Sequence, residues 1–293
     1  FKDIKKIQKM HAAEFLDGQE FLPNQVNPPF TMKIIFGQYS GIENHIMFEL
    51  FKTYKIDSSF DSLIRAFFGG LFDIIKKYSN NITIGTTNYD LAIEKFCELE
   101  PTKYTCCDGF KVAGDRFVWA PHLFDQSISN STDTPIELLK IHGSLNWMNS
   151  AGVIEKRTNF EFIPTKEGHQ NALIAPILSA KDVESIPPFS VLLGRFDDSL
   201  KKSDICIVIG SSFRDGIIKQ SMIQFIESGK HLIIVSPSCY QNYACGLRDH
   251  NSDDIGLISW AKQRATQENG KISWIPIAID DNNTNEVLEE IKK

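Results

Sequence analysis

Short apolar runs recur along the chain at Ile82 to Thr86, Leu138 to Ile141, Ile205 to Ile209, Leu232 to Val235 and Ile272 to Ile279, each separated from the next by helical or irregular sequence. A run that is apolar at successive positions, without polar alternation, suits a strand covered on both faces. Strands that alternate with helices call for crossover connections, and these build an α/β layer. The clearest crossover is the stripe Ile217, Ile218, Met222, Phe225 and Ile226, which leads from one apolar run directly into the next. It predicts a βαβ unit of right-handed connection. The fold class expected is therefore α/β: a Rossmann-like doubly wound parallel sheet with helices on both faces.

Around this core the sequence reads as a helical N-terminal region and two inserted stretches. Phe60, Leu63, Ile64, Phe67, Phe68, Leu71, Phe72 and Ile75 recur at spacings of three and four, which predicts a helix with one buried face. Ser58 or Ser59 suits its start, and the Gly69-Gly70 pair inside it costs about 1 kcal/mol per residue relative to alanine, so it implies close packing or a break. A further helix is expected over Leu91 to Leu99. Residues 101 to 137, with Cys106-Cys107-Asp108-Gly109 and Gly114-Asp115, read as a hairpin and loop beside the sheet. Residues 148 to 190, with Pro164, Pro176 and Pro187-Pro188, read as irregular chain covering a cleft. The whole of 1-293 is read as one domain, with 1-80 mostly helical and 82-280 forming the core.

Composition narrows the function classes. The chain has 293 residues with 31 basic and 37 acidic side chains, a net charge of -6, which lacks the basic footprint of a nucleic-acid-binding protein. No apolar run approaches the roughly 20 residues of a bilayer span. Six cysteines in a chain of this length do not form the dense framework of a small secreted domain, and reduced thiols in a cytoplasm are expected. The only closely spaced pair is Cys106-Cys107, which lacks the C-x2-4-C spacing of structural zinc ligands.

Three short sequences fall at the carboxyl ends of expected strands, where open α/β sheets build their ligand sites. They are Gly85-Thr86-Thr87-Asn88-Tyr89-Asp90, Lys140-Ile141-His142-Gly143-Ser144-Leu145-Asn146-Trp147 and Gly210-Ser211-Ser212-Phe213-Arg214-Asp215. In content and order these motifs resemble the sirtuin-like NAD-consuming enzymes, especially their bacterial antiphage-defence branch. The resemblance covers roughly residues 82 to 237 and rests on the three motifs jointly, since each alone is common.

The resemblance implies NAD as substrate and gives roles to particular residues. Asn88 corresponds to the residue that holds the nicotinamide ribose and positions water, Asp90 to the acidic residue near the carboxamide, and Thr87 is a further NAD-binding position. Left to themselves, Asn88 would read as a turn residue and Asp90 as a helix cap ahead of Leu91. His142 corresponds to the catalytic histidine. An imidazole's ordinary pKa, about 6.5, suits a general base, and Gly143 lets a ligand approach closely. Gly210, Ser211 and Ser212 sit between a strand and a helix and are assigned to the adenosine ribose or a phosphate, with Ser212 as the ribose contact. Ser144, Asn146 and Trp147 are assigned to packing, and Arg214 with Asp215 to a local ion pair.

Two departures shape the functional expectation. Sirtuins open with a strand and a G-A-G-x-S type loop around the pyrophosphate. The nearest sequence here, Ile34-Ile35-Phe36-Gly37-Gln38-Tyr39-Ser40-Gly41, has different glycine spacing, so the loop is expected upstream of Phe1. The zinc module of the protein-deacylating sirtuins is also missing from the motif set. The leading expectation is thus an NAD glycohydrolase releasing nicotinamide and ADP-ribose, an NAD-depleting effector of antiviral defence, acting as a homo-oligomer with a separate activating or sensor protein. The alternatives are an NAD-dependent deacylase, an ADP-ribosyl transferase, or a non-catalytic module that senses NAD or ADP-ribose. Elemental analysis of the purified protein is expected to find no stoichiometric zinc; a full equivalent would restore the deacylase alternative.

Overall fold

A computed structural model describes residues 60–114, 116–126, 134–150, 153–157, 169–173, 187–211, 215–236, 271–277, 279–280 and 282–293, all within one compact unit of the chain. The expectations for residues 1–59, including the Ile34 to Gly41 segment and the Ser58 or Ser59 cap, lie outside the described residues. The elements begin with α1 (Asp61–Ile75), β1 (Ile82–Thr86), α2 (Ala92–Leu99), β2 (Tyr104–Cys107), β3 (Phe110–Ala113), β4 (Arg116–Trp119) and α3 (Leu123–Gln126). They continue with β5 (Thr134–Lys140), β6 (Gly143–Ser150), β7 (Val153–Lys156), β8 (His169–Leu173), α4 (Phe189–Lys202) and β9 (Ile205–Ile209). The last four are α5 (Gly216–Glu227), β10 (His231–Val235), β11 (Lys271–Ile275) and α6 (Thr284–Lys292).

The apolar runs form parallel strands. β1 and β2 both pair with β5 in parallel, and β9 and β11 both pair with β10 in parallel. α5 joins β9 to β10, whose register places His231 opposite Ile205, so the expected βαβ unit is present. Side-chain parity shows the two covered faces. Along β10, Ile233 and Val235 join a core with α1, α2 and α6, while Leu232 and Ile234 join a core with α4 and α5. Period-2 alternation in which both faces are apolar is what a strand between two helical layers requires. This mixed α/β arrangement with parallel sheets is consistent with a Rossmann-like fold.

The first helical layer is organised by aromatics. Phe67, Phe72, Phe96 and Tyr104 are buried, and Phe72 meets the rings of Phe96 and Tyr104 at centroid distances of 5.2 and 5.5 Å. Each such pair adds about 0.5–1.5 kcal/mol beyond the burial of its area. Burial also pushes the Tyr104 hydroxyl up to about 12, and its neighbour Asp73 adds to that rise. The Gly69-Gly70 pair sits inside α1 without breaking it. A Cβ on Gly70 would lie 2.4 Å from Leu288 Cδ1, so close packing of α1 against α6 is the reason for glycine there.

Three expectations change. Tyr104 to Cys107, read within a hairpin and loop, is instead β2 of the parallel sheet, while the hairpin itself is β3 with β4. Its pairing to Thr134 through Glu137 is set by a distant segment and leaves little local pattern in four residues. Part of the stretch from 148 to 190 is regular, because β7 and β8 flank β6 in an antiparallel sheet ordered β3-β4-β7-β6-β8. The last strand stops at Ile275, not Ile279, since Pro276 has no N–H to continue the ladder.

Among the described residues no helix is long and apolar enough to cross a membrane. Gly85 in β1 tests how tightly α4 packs on the sheet, because a Cβ there would lie 2.5 Å from Phe196 Cδ2 and 2.7 Å from Cε2. Gly85→Ala should lower stability by about 1–3 kcal/mol as an overpacked site. Gly194→Ala in α4, where an added Cβ meets nothing within 4 Å, should raise it by about 0.5–1 kcal/mol. Urea unfolding midpoints of the two variants check the contrast.

Candidate functional site

The loop after β1 carries the first motif, and its backbone is tied down at several points. The N–H of Asn88 donates to Thr86 Oγ1 at 3.0 Å, which turns the chain out of the strand. Asp90 Oδ1 accepts the Ala92 N–H at 3.0 Å and so orders the start of α2, as its cap-like reading requires. Asn88 is exposed, and its side-chain amide has no hydrogen-bond partner among the described residues. Thr87 follows Thr86 on the same turn and is half-buried.

The second motif is stitched to the first. Ile141 N–H donates to Thr86 O at 2.9 Å, extending the β1–β5 pairing by one rung. Beyond it, Leu145 N–H donates to Tyr89 O at 3.1 Å and Ser144 Oγ donates to the same carbonyl at 3.4 Å. Gly143 takes a φ of 84°, the left-handed turn by which the chain reverses from β5 into β6. Ser144, expected only to pack, thus ties the two loops together, while Trp147 is buried with Phe110 and Leu139 as expected.

Lys140, the last residue of β5, is 1% exposed. Its ammonium donates to the Asp90 carbonyl and to Glu94 Oε1 at 3.2 Å. Burial pushes the Glu94 carboxyl up, and the charge of Lys140 opposes that rise. Glu94 Oε2 is buried and has no hydrogen-bond partner among the described residues. This cation and its carboxylate fix α2, and with it the end of the Asn88 loop, to β5.

The third motif reaches the second through a side chain. His142 Nε2 lies 2.7 Å from Asp215 Oδ2, across 73 residues of sequence. Asp215 was expected to pair with Arg214, which lies outside the described residues, as do Ser212 and Phe213. The other carboxylate oxygen, Oδ1, accepts the N–H groups of Ile217 and Ile218 at 2.9 and 3.1 Å and caps α5. The hydrogen bond from His142 is the main cause that holds the Asp215 carboxyl below the usual carboxylate range; burial opposes it. Gly210 closes β9 by donating to Val235 O at 3.0 Å, and it has a φ of 66°. A Cβ on Gly210 would meet nothing within 4 Å, nor would one on Gly216 at the head of α5. Ser211 lies between them, half-buried.

The arrangement therefore gathers one histidine and one carboxylate at a helix N-terminus, beside a loop that exposes an asparagine. The open space at Gly210, where an added Cβ would meet nothing within 4 Å, leaves room beside this turn for a ligand. Among the described residues no group of three His, Cys, Asp or Glu side chains is placed to hold a metal ion. Asp215 as the partner of His142, and the Lys140–Glu94 pair, had no signal in the sequence beyond their membership of the motifs or of α2.

Loops gathered at the carboxyl ends of parallel strands, with a helix N-terminus among them, are the ligand-binding arrangement of open α/β sheets. Within that class the chain belongs to the SIR2-like domain family, whose model matches residues 82–251. Membership points to NAD-related enzymatic chemistry. No protein of curated function matches the chain.

Lys140→Met should leave the Glu94 carboxylate buried and unanswered, at a cost of about 3–5 kcal/mol. The double variant Lys140→Met/Glu94→Gln should recover much of that loss. Chemical denaturation of the three proteins checks the ordering.

Proposed function

We propose that this chain hydrolyses NAD at the bond between nicotinamide and ribose, releasing nicotinamide and ADP-ribose. The observation that carries the reading is the seam from Asn88 to Asp215. Tyr89 O is bonded to Ser144 and Leu145, and His142 is bonded to Asp215, so three motifs far apart in sequence, from the strand ends of two three-stranded parallel sheets, are linked to one another. A set of chance tripeptides has no reason to converge.

NAD would supply a glycosidic C–N bond whose cleavage develops positive charge on the sugar, as in other reactions with an oxocarbenium-like transition state. Asn88, with its side chain free of the described residues, orients the attacking water. His142 accepts a proton from that water or from a ribose hydroxyl as the C–O bond forms, while the C–N electron pair leaves with nicotinamide. Asp90 keeps one carboxylate oxygen for the α2 backbone and offers the other to the carboxamide N–H. Thr87 lines the same turn. Gly210, Ser211 and Ser212 receive the adenosine ribose or a phosphate, with Ser212 as the ribose contact. Position and electrostatics carry this chemistry.

The cytoplasmic, NAD-depleting role in antiviral defence, the homo-oligomer and the separate activating or sensor protein belong to the same proposal. They rest on the resemblance of the motifs to the defence branch of the sirtuin-like enzymes.

Incubation of the full-length, activated protein with NAD, followed by chromatography, should yield nicotinamide and ADP-ribose in equal amounts. Asn88→Ala and His142→Ala should abolish nicotinamide release while NAD affinity, measured by calorimetry, stays within about tenfold, or roughly 1.4 kcal/mol. Ser212→Ala should act mainly on KM. Release at the wild-type rate by His142→Ala would make the histidine structural and remove the mechanism.

A further inference from the structure

We infer that Asp215 is a positioning residue for His142: it holds the proton on Nε2 and thereby presents Nδ1 as the nitrogen that accepts a proton in the reaction. The inference deepens the proposed hydrolase reading and rests on it for the chemistry, while the geometry stands by itself.

Both oxygens of the Asp215 carboxylate are engaged. Oδ1 accepts two backbone N–H groups at the start of α5, and Oδ2 lies 2.7 Å from His142 Nε2. The helix N-terminus and the imidazole both favour the ionised form, and an ionised carboxylate can only accept hydrogen bonds. The proton between Oδ2 and Nε2 therefore belongs to the ring. A neutral imidazole carries one N–H, so with Nε2 protonated the lone pair is on Nδ1. Nδ1 has no hydrogen bond to a described residue.

The helix makes this orientation firm. Two N–H bonds on Oδ1 prevent the carboxylate from rotating, and α5 is itself anchored by Met222, Phe225 and Ile226 in the core beneath it. The ring of His142 is thus held through Nε2. Capping alone does not explain the residue, because Ser or Asn caps a helix as well as Asp does. Only a carboxylate caps the helix with one oxygen and accepts from a neutral imidazole with the other.

Two substitutions in the full-length protein separate the roles. Asp215→Asn keeps a capping oxygen, but its amide nitrogen then faces Nε2 and donates to it, which moves the ring proton to Nδ1 and removes the accepting lone pair. Asp215→Ser keeps the cap and withdraws from the ring. With 15N-labelled histidine, NMR of the wild-type protein should show His142 as the Nε2–H tautomer, and Asp215→Asn should show Nδ1–H. Nicotinamide release by Asp215→Asn should fall about 100-fold or more in kcat with little change in KM, and Asp215→Ser should lie between it and wild type. Both variants should melt within about 2 °C of wild type, since a cap is retained.

A wild-type Nδ1–H tautomer overturns the inference, whatever the variants do. So does near-wild-type kcat in Asp215→Asn alongside an inactive His142→Ala enzyme; that pair of results leaves the hydrolase reading in place. Full activity in His142→Ala sinks the hydrolase reading instead, and the tautomer measurement then judges the geometry alone. If Asp215→Asn does not fold, the wild-type tautomer decides.

Discussion

Lys140 carries a positive charge into the interior of a parallel sheet, and a charge so placed must be answered within hydrogen-bond reach. The answer comes from the Asp90 carbonyl and the Glu94 carboxylate, both at or beside the first turn of α2. The partners of Lys140 are in the segment that leads out of Asn88, so satisfying the cation also fixes the loop after β1. A hydrophobic residue at 140 could fill the same space, but it would leave the Asp90 end of that loop without its side-chain anchor, with the bonds at Thr86 and Tyr89 remaining. The ion pair specifies an arrangement more than it adds net stability.

From this anchor the site is assembled by a succession of directional bonds across the strand ends. Thr86 O, Tyr89 O and the Asp90 carbonyl each receive a donor from the Lys140 to Leu145 segment, and His142 passes the connection on to Asp215 and α5. Hydrogen bonds restrict direction where apolar contacts do not. The backbones of the first two motifs are therefore held, while the side chain of Asn88 and the open space at Gly210 face outward. A rigid frame with unfilled polar capacity is the condition under which electrostatic preorganisation can act on a ligand.

Much of the core was legible because its physics is local. Ile205 to Ile209 and Leu232 to Val235 are short and apolar at successive positions, Ile82 to Thr86 is a short run rich in β-branched residues, and each is a parallel strand. The stripe from Phe60 to Ile75 likewise gave a helix, although Phe60, its first member, sits just ahead of the helix and is half-exposed. Legibility failed where pairing carries the information. Tyr104 to Cys107 is a strand because β5 offers it an edge, and β8 is a strand because β6 does. Of the binding residues, Ser212 falls outside the described segments.

The linear chain determined where chemistry could reside, since strand-end loops containing Asn88, His142 and Gly210 are recognisable from periodicity and motif alone. It did not determine which side chains meet. Asp215 reads in sequence as one half of an ion pair with its neighbour Arg214, a local relation. Its bond to His142 spans 73 residues and exists only because β5 and α5 come together at one end of the fold. Local patterns register burial and backbone preference, whereas the partner of a polar side chain is set by which elements pack beside it, and only the tertiary structure supplies that.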